Sequence, residues 1–280
     1  MQICRSVADC RAAIAALRAK GKTIGMVPTM GFLHDGHMSL VETAQTHTDA
    51  VAVSIFVNPS QFGETADLDA YPRDENRDLE MLENAGVAVV FIPEVETMYP
   101  SGDETIVETT RMANMLHGLV RPGHFRGVTT VVARLFNIVQ PDVAVFGEKD
   151  YQQLQVIKRM VADLHMPLTI IGAPTVREAD GLAMSSRNVR LTPEDRTAAL
   201  ILSQSLTAAE ATATGATVAD LHKVIADTVA TEPRATLKGL DIVEAETLNT
   251  IDGPLHGPTA IMISVAFGDI LLIDQRVVTP

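Results

Sequence analysis

An α/β fold is predicted, with a Rossmann-type doubly wound parallel sheet and a second, smaller α+β domain after it in the chain. Three observations carry this. Short β-rich runs, apolar on both faces, alternate with stretches of helical period as far as residue 176; a parallel sheet covered by helices on both sides requires that pattern. Beyond it the order changes to two helices and then three strand-like runs. The chain has 280 residues, 46% of them hydrophobic, which is enough for one large or two modest cores.

Taken in order, VADCRAAIAALRAK has helical period, with Ser6 and Asp9 at the spacing of an N-cap and its third helical position and Gly21 in the place of a C-cap. Strands are predicted at TIGMVPT (23–29), AVAVSIFV (50–57), VAVVFIP (87–93), DVAVFG (142–147) and LTIIGAPTV (168–176), with helices over 37–47, 73–85, 128–139 and 150–164. The boundary is placed so that residues 1–175 form the first domain and 176–280 the second. There Thr192 caps a helix with Pro193 first and Asp195 third, running to about residue 213, and another helix covers 217–230. LDIVEAETL, AIMISVAFG and DILLIDQRV suit a small antiparallel sheet, with Gly268-Asp269 turning between the last two.

Composition narrows the function. Lys and Arg total 22 against 35 Asp and Glu, a net charge of −13 that argues against a basic nucleic-acid face. The two cysteines, Cys4 and Cys10, form neither a zinc spacing nor a disulfide framework, in keeping with a reducing compartment. No apolar run approaches the roughly 18–20 residues that span a bilayer, and the N-terminal stretch reads as a helix of the fold rather than a signal peptide. A cytoplasmic protein that engages neither membrane nor nucleic acid is expected.

Open parallel sheets bind ligands beyond the carboxyl ends of their strands. Here the strands are followed by MGFLHDGH, by NPSQFG with Asn58 and Gln61, by GEKDYQQ with Lys149, Asp150 and Gln153, and by READGLAMSSRN with Ser185, Ser186 and Arg187. Each alone reads as a solvated loop, and His34 and His37 as surface histidines. Together they suit a polyphosphate. Gly31, Gly36 and Gly147 permit close backbone approach, helix N-termini offer N–H groups, and Lys149 and Arg187 are fixed cations. Asp150 suits ribose hydroxyls, and Gln61 and Gln153 could hold a small polar substrate without adding charge. These residues point to an enzyme that uses ATP.

The blocks VPTMGFLHDGH, SIFVNPSQFG, RPGHFRGV, FGEKDYQQL and VREADGLAMSSRN resemble, in order and spacing, those of the pantothenate synthetase family over nearly the whole chain. H-x-G-H alone is weak, being shared with other nucleotidylyl-transfer enzymes and class I aminoacyl-tRNA synthetases; five blocks in register are specific. The resemblance implies condensation of (R)-pantoate with β-alanine through a pantoyl adenylate, with ATP cleaved to AMP and diphosphate. It places ATP along Met30, Gly31, His34, Gly36 and His37, along Gly147, Lys149 and Asp150, at Val176, and along Met184, Ser185, Ser186 and Arg187. It makes His37 the catalytic proton donor, aided by His34 and Lys149. Gln61 and Gln153 would hold pantoate, with Gln61 also near β-alanine. It further implies Mg²⁺, a homodimer, a C-terminal lid and a mobile phosphate-binding loop at MSSR.

Two positions depart from the family pattern. Ser60 stands where methionine is common. Arg77-Asp78 replaces two consecutive acids associated with magnesium, leaving Asp78, acting with the nucleotide, as the expected ligand, with Asp74 or Glu75 able to share its helix face; the alternatives are a metal held mainly by ATP with Arg77 in solvent, and an Arg77 guanidinium that itself neutralises phosphate. A tRNA-charging enzyme and a non-catalytic nucleotide sensor remain as alternatives, separable by a product assay. His124, with Arg121 and Arg126, reads equally as lining the site or stabilising a loop. His47, His117, His165, His222 and His256 read as surface or structural.

Overall fold

In the computed structural model, which describes residues 1–63, 68 and 71–280, β1 (Gln2–Cys4), β2 (Ile24–Thr29), β3 (Ala50–Ile55), β4 (Val89–Phe91), β5 (Val143–Gly147) and β6 (Thr169–Ala173) lie in one sheet. Their order is β1-β4-β3-β2-β5-β6, with every pairing parallel. Between them run α1 (Val7–Arg18), α2 (Asp35–His47), α3 (Glu75–Asn84), α4 (Val95–Met98), α5 (His117–Val120), α6 (His124–Val139) and α7 (Tyr151–Asp163). Adjacent strand residues fall into different cores. Met26, Ala52, Val89 and Ala144 belong to one cluster, and their neighbours Val27, Val53, Val90 and Val145 to another. Both faces of the sheet are therefore covered, which is why the strands read as continuous apolar runs.

The chain divides into two compact units, one of Met1–Gly147 with Gln152–Ala173, the other of Glu148–Tyr151 with Pro174–Pro280. The second contains α8 (Pro193–Ala198), α9 (Ile201–Thr212), α10 (Val218–Ala230) and the antiparallel strands β7 (Thr236–Glu244), β8 (Thr259–Phe267) and β9 (Ile270–Val278). Leu202, Leu206, Leu221 and Ile225 pack with Ile261, Ile263 and Val265 as its core. The last hairpin pairs Phe267 with Ile270 across two residues, and Gly268 supplies the positive φ (56°) that such a tight turn needs.

Three local features differ from the sequence expectation. The edge strand β1 has only three residues, too few to show a period, and exists because β4 pairs with it. Helix α1 is capped at Ala19, with Gly21 two residues further on at φ +75°. The helix predicted from Thr192 to about 213 divides at Ala199–Leu200, where Leu200 bonds back to Thr197 in a tighter i to i−3 pattern.

In the parallel sheet, the chain winds from β2 through β3 to β4 in one direction and through β5 to β6 in the other. The order reverses between β2 and β5, the place where such sheets open a crevice at their carboxyl ends. Met30–His34 leaves the end of β2.

Candidate active site

The loop after β2 turns on two residues of positive φ, Gly31 (81°) and Phe32 (51°). A Cβ on Gly31 would come within 3.0 Å of both Asp78 Oδ2 and Ile55 Cγ2, so glycine is required twice over. Phe32 adopts a conformation that costs a side-chain-bearing residue energy and must be held there. Asp78 of α3 holds it, accepting hydrogen bonds from the N–H groups of Phe32 (2.8 Å) and Leu33 (2.7 Å). The Arg77 guanidinium lies over the Phe32 ring, 5.6 Å from its centroid. Burial pushes the Asp78 carboxyl above its ordinary range, against the pull of those two donors.

The next two functional side chains cap α2. His34 is its N-cap, and its Nδ1 accepts from the Gly36 N–H at 3.1 Å; His37 Nδ1 accepts in return from the His34 N–H at 3.3 Å. Backbone N–H groups only donate, so Nδ1 is the unprotonated nitrogen in both rings and each neutral imidazole carries its proton on Nε2. The rings stand 4.1 Å apart between centroids. This reciprocal box, with the bonds from His37 and Met38 N–H to the His34 carbonyl, occupies much of the helix N-terminus. The expected offer of backbone N–H groups is accordingly smaller here than the sequence suggested.

The residues around Asp78 do not fit a protein-held magnesium ion. Both its oxygens are bonded to loop backbone, and it is only 1% exposed. The acids expected to assist are engaged elsewhere: Asp74 caps α3 through the Arg77 N–H, and Glu75 pairs with Arg5. Among the described residues, no group of three or more His, Cys, Asp or Glu side chains is arranged to hold a metal. A hard cation needing several oxygen ligands is not provided for on this helix.

After β3, Asn58 caps the short turn Pro59–Gln61. Its amide nitrogen donates to Gln61 Oε1 (3.1 Å), while Gln61 Nε2 lies 3.2 Å from Met30 Sδ. Helix α6 packs directly on this turn, since a Cβ on Gly127 would meet the Ser60 carbonyl oxygen at 2.4 Å. His124, at the start of α6, contacts the Gln61 carbonyl through Nδ1 at 2.9 Å. Because a carbonyl only accepts, His124 donates there. Of the two adjacent glutamines in α7, Gln152 is buried, donating to the Met112 and Met115 carbonyls and accepting from the His117 N–H; Gln153 is half-buried.

In the second unit, residues 176–184 form a tight hairpin, with Met184 N–H bonded to the Val176 carbonyl and Gly181 at φ +99°. Ion pairs hold it. Arg177 grips the buried Asp274 with two bonds (2.7 and 3.0 Å), and Arg196 reaches Glu178 and Asp180. Asn188 ties the following segment back through Glu178 and the Ala183 carbonyl, 3.0 Å each, so Ser185, Ser186 and Arg187 leave a braced frame. Lys149 Nζ lies 3.8 Å from Asp150 in the same unit. The predicted residues thus fall into two sets. Met30, Gly31, His34, Gly36, His37, Gln61, Asp78, Gly147 and Gln153 belong to the first unit, and Lys149, Asp150, Val176, Met184, Ser185, Ser186 and Arg187 to the second.

Sequence reasoning missed Tyr99, whose hydroxyl donates to Asn58 Oδ1 at 2.7 Å, and Arg134, which lies over the Tyr99 ring and binds Asp103 and the Met98 carbonyl. Nothing near Tyr99 in the chain signals this, because its partner is 41 residues away. For Asn58 there was a signal: an Asn-Pro step opens a turn.

The model of the family described as pantoate-beta-alanine ligase matches residues 2–277. The pantothenate synthetase of Pelotomaculum thermopropionicum is 50% identical over 279 residues, covering 99% of each chain. A crystal structure of pantothenate synthetase from Thermus thermophilus superposes with a TM-score of 0.94 at 45% identity, covering 100% of both chains. That of pantoate-beta-alanine ligase from Francisella tularensis, complexed with beta-gamma ATP and beta-alanine, has a TM-score of 0.81 at 34% identity, covering 99% of this chain and 97% of that one.

Proposed function

The chain belongs to the pantoate-beta-alanine ligase family, and from that premise we propose how its residues work. It condenses pantoate with β-alanine, using ATP. A carboxylate is a poor electrophile towards an amine in water. Attack of the pantoate carboxylate on the α-phosphorus releases diphosphate and leaves a pantoyl adenylate; the β-alanine amine then displaces AMP. The obstacle is electrostatic, an anion approaching a polyanion, and the protein's task is to offset charge that grows in the transition state.

The observation that carries this reading is the capping box of His34 and His37. It fixes both rings as Nε2–H donors with no need for a positive charge, so each can hydrogen-bond to phosphate oxygen as negative charge develops. Lys149, Ser185, Ser186 and Arg187 are assigned to the phosphates, Asp150 to the ribose, and Met30, Gly31, Gly36, Gly147, Val176 and Met184 to the walls of the nucleotide site. Gln61 and Gln153 are assigned to pantoate. The cation that accompanies ATP would be held by the nucleotide's own oxygens and would offset their charge.

Residues 1–175 are proposed as the ATP- and pantoate-binding domain and 176–280 as the lid. A homodimer is proposed as well, supported by the strongly exposed apolar pair Leu119 and Val120 on α5. Among the described residues no helix is long and apolar enough to cross a membrane, and a cytoplasmic location is retained as part of the proposal. The test is to incubate the protein with ATP, Mg²⁺, pantoate and β-alanine and identify the products. AMP and pantothenate are expected; ADP would overturn the adenylate route. Labelled diphosphate should exchange into ATP with pantoate alone, and exchange that required β-alanine would exclude the two-step order.

A further inference from the structure

We infer that Ser60 and Tyr99 are positioning residues: their hydroxyls brace the carbonyl end of the Asn58 amide, which in turn determines which end of the Gln61 amide meets the substrate. The inference rests on the assignment of Gln61 to pantoate. Asn58 is 1% exposed. Its Oδ1 lies 2.7 Å from the Tyr99 hydroxyl, 2.9 Å from Ser60 Oγ and 3.3 Å from the Ser60 N–H. Its Nδ2 lies 3.2 Å from the Gly127 carbonyl oxygen and 3.1 Å from Gln61 Oε1.

An amide can be turned end for end unless its partners forbid it. Here two backbone groups do, since the Ser60 N–H can only donate and the Gly127 carbonyl can only accept. The Asn58 amide therefore faces Gln61 as a donor. Gln61 must answer with Oε1, and its Nε2 becomes the outward end. The neighbour of that nitrogen is the Met30 thioether, a weak acceptor that competes poorly with a ligand. Gln61 thus presents N–H, which suits a carboxylate or hydroxyl oxygen and disfavours an ammonium group. An inverted Gln61 would set its carbonyl against the substrate carboxylate.

The two hydroxyls are a redundant pair. They lie 3.0 Å from each other as well as close to Asn58, and they carry two protons between them. Either both protons go to Asn58, or one passes to the neighbouring hydroxyl and the other still reaches the amide oxygen. Removing one hydroxyl leaves the second in place. Removing both leaves Oδ1 with the Ser60 N–H alone, at 3.3 Å the longest of its three contacts, so that the amide keeps its direction through this bond and the Gly127 carbonyl but is held more loosely. Stacking of Arg134 on Tyr99, with its guanidinium carbon 4.5 Å from the ring centroid, keeps that ring in place.

The experiment measures KM for pantoate and for ATP, with kcat, in Ser60→Ala, Tyr99→Phe and the double variant. Each single change is expected to raise the pantoate KM by less than about threefold and the double by about tenfold or more, as for loss of a buried amide's partners. The ATP KM should stay within about twofold, because no phosphate contact is altered. Ser60→Thr in the Tyr99→Phe background, which keeps a hydroxyl at position 60, should leave the pantoate KM near that of Tyr99→Phe alone. A folded double variant whose pantoate KM rises less than about threefold, or whose KM values for both substrates rise together, overturns the inference. If the double variant does not fold, Asn58→Asp carries the same test, since it still accepts from both hydroxyls but offers Gln61 no donor. Wild-type protein that forms no AMP overturns the functional reading and this inference with it. Wild-type AMP formation with an unchanged double variant overturns the inference alone.

Discussion

The loop Met30–His37 in the first unit and the hairpin 176–184 in the second hold assigned nucleotide residues by different means. The loop is held by side chains bonded to backbone: Asp78 on two N–H groups, and two histidines on two more. The hairpin is held largely by charge on charge: Arg177 with Asp274, and Arg196 with Glu178 and Asp180. A carboxylate satisfied by peptide dipoles fixes backbone shape without a screenable partner charge. An exposed ion pair fixes a side chain instead, and salt and pH act on it. The loop should therefore depend on geometry, and the hairpin on solution conditions as well.

The largest expected effect is on the loop. His37→Ala removes an Nε2–H donor and half of the capping box. Its kcat should fall by roughly 10²–10³, the usual cost of losing a transition-state donor, with an unchanged circular dichroism spectrum. A folded variant that keeps most of its activity would remove His37 from the chemistry. The counterpart in the hairpin is Asp274→Ala, which strands Arg177 beside a buried site. It should destabilise by about 3 kcal/mol in urea unfolding, the lower end for a broken buried pair because Arg177 is partly exposed. A loss under about 1 kcal/mol would mean that the pair is no more than a surface one.

Asp78→Asn sharpens the contrast. An asparagine can offer oxygen to only one of the Phe32 and Leu33 N–H groups and must point N–H at the other. We expect about 2 kcal/mol of lost stability and a lower kcat/KM for ATP. Raising Mg²⁺ should not restore activity; full restoration would mark Asp78 as a metal ligand after all.

The smallest effects are those of pH and salt. Arg196 holds the Asp180 carboxyl, and Arg234 the Asp195 carboxyl, below the ordinary value of 3.8. A depressed folded value means that their contribution is present above 3.8 and is lost as pH falls through the lower folded value. Asp78 has the opposite sign: its folded value is raised by burial, so its ionisation weighs against folding as pH rises through that range. Hydrogen exchange compared at low salt and at about 1 M salt, at neutral pH, should show the Leu182 amide losing protection relative to the Leu33 amide, because salt screens the Arg196 pairs and not the peptide dipoles on Asp78. Equal changes at both amides would erase the distinction.

Features that repeat over short distances could be read from the chain alone. Five of the six strands of the parallel sheet were legible because each lies within a longer, largely apolar run of the sequence. Thr192-Pro193 and Ser6 were legible because a cap lies within three residues of the N–H that it satisfies. His34 and His37 could be picked out because strand, glycine and helix follow one another directly. The fold was needed for whatever depends on residues far apart in the chain. Asp78 looked like a metal ligand by its neighbours and became a loop anchor because α3 brings it to Phe32, 46 residues earlier. The contact of His124 with the Gln61 carbonyl exists only because α6 sets it there, and Ser60 looked like a lost methionine until Tyr99 arrived beside it. Periodicity and capping are local energies that the chain carries wherever it goes. The polarity of a buried amide or the task of a carboxylate depends on which donors the fold brings within about 3 Å, and those come from elsewhere in the chain.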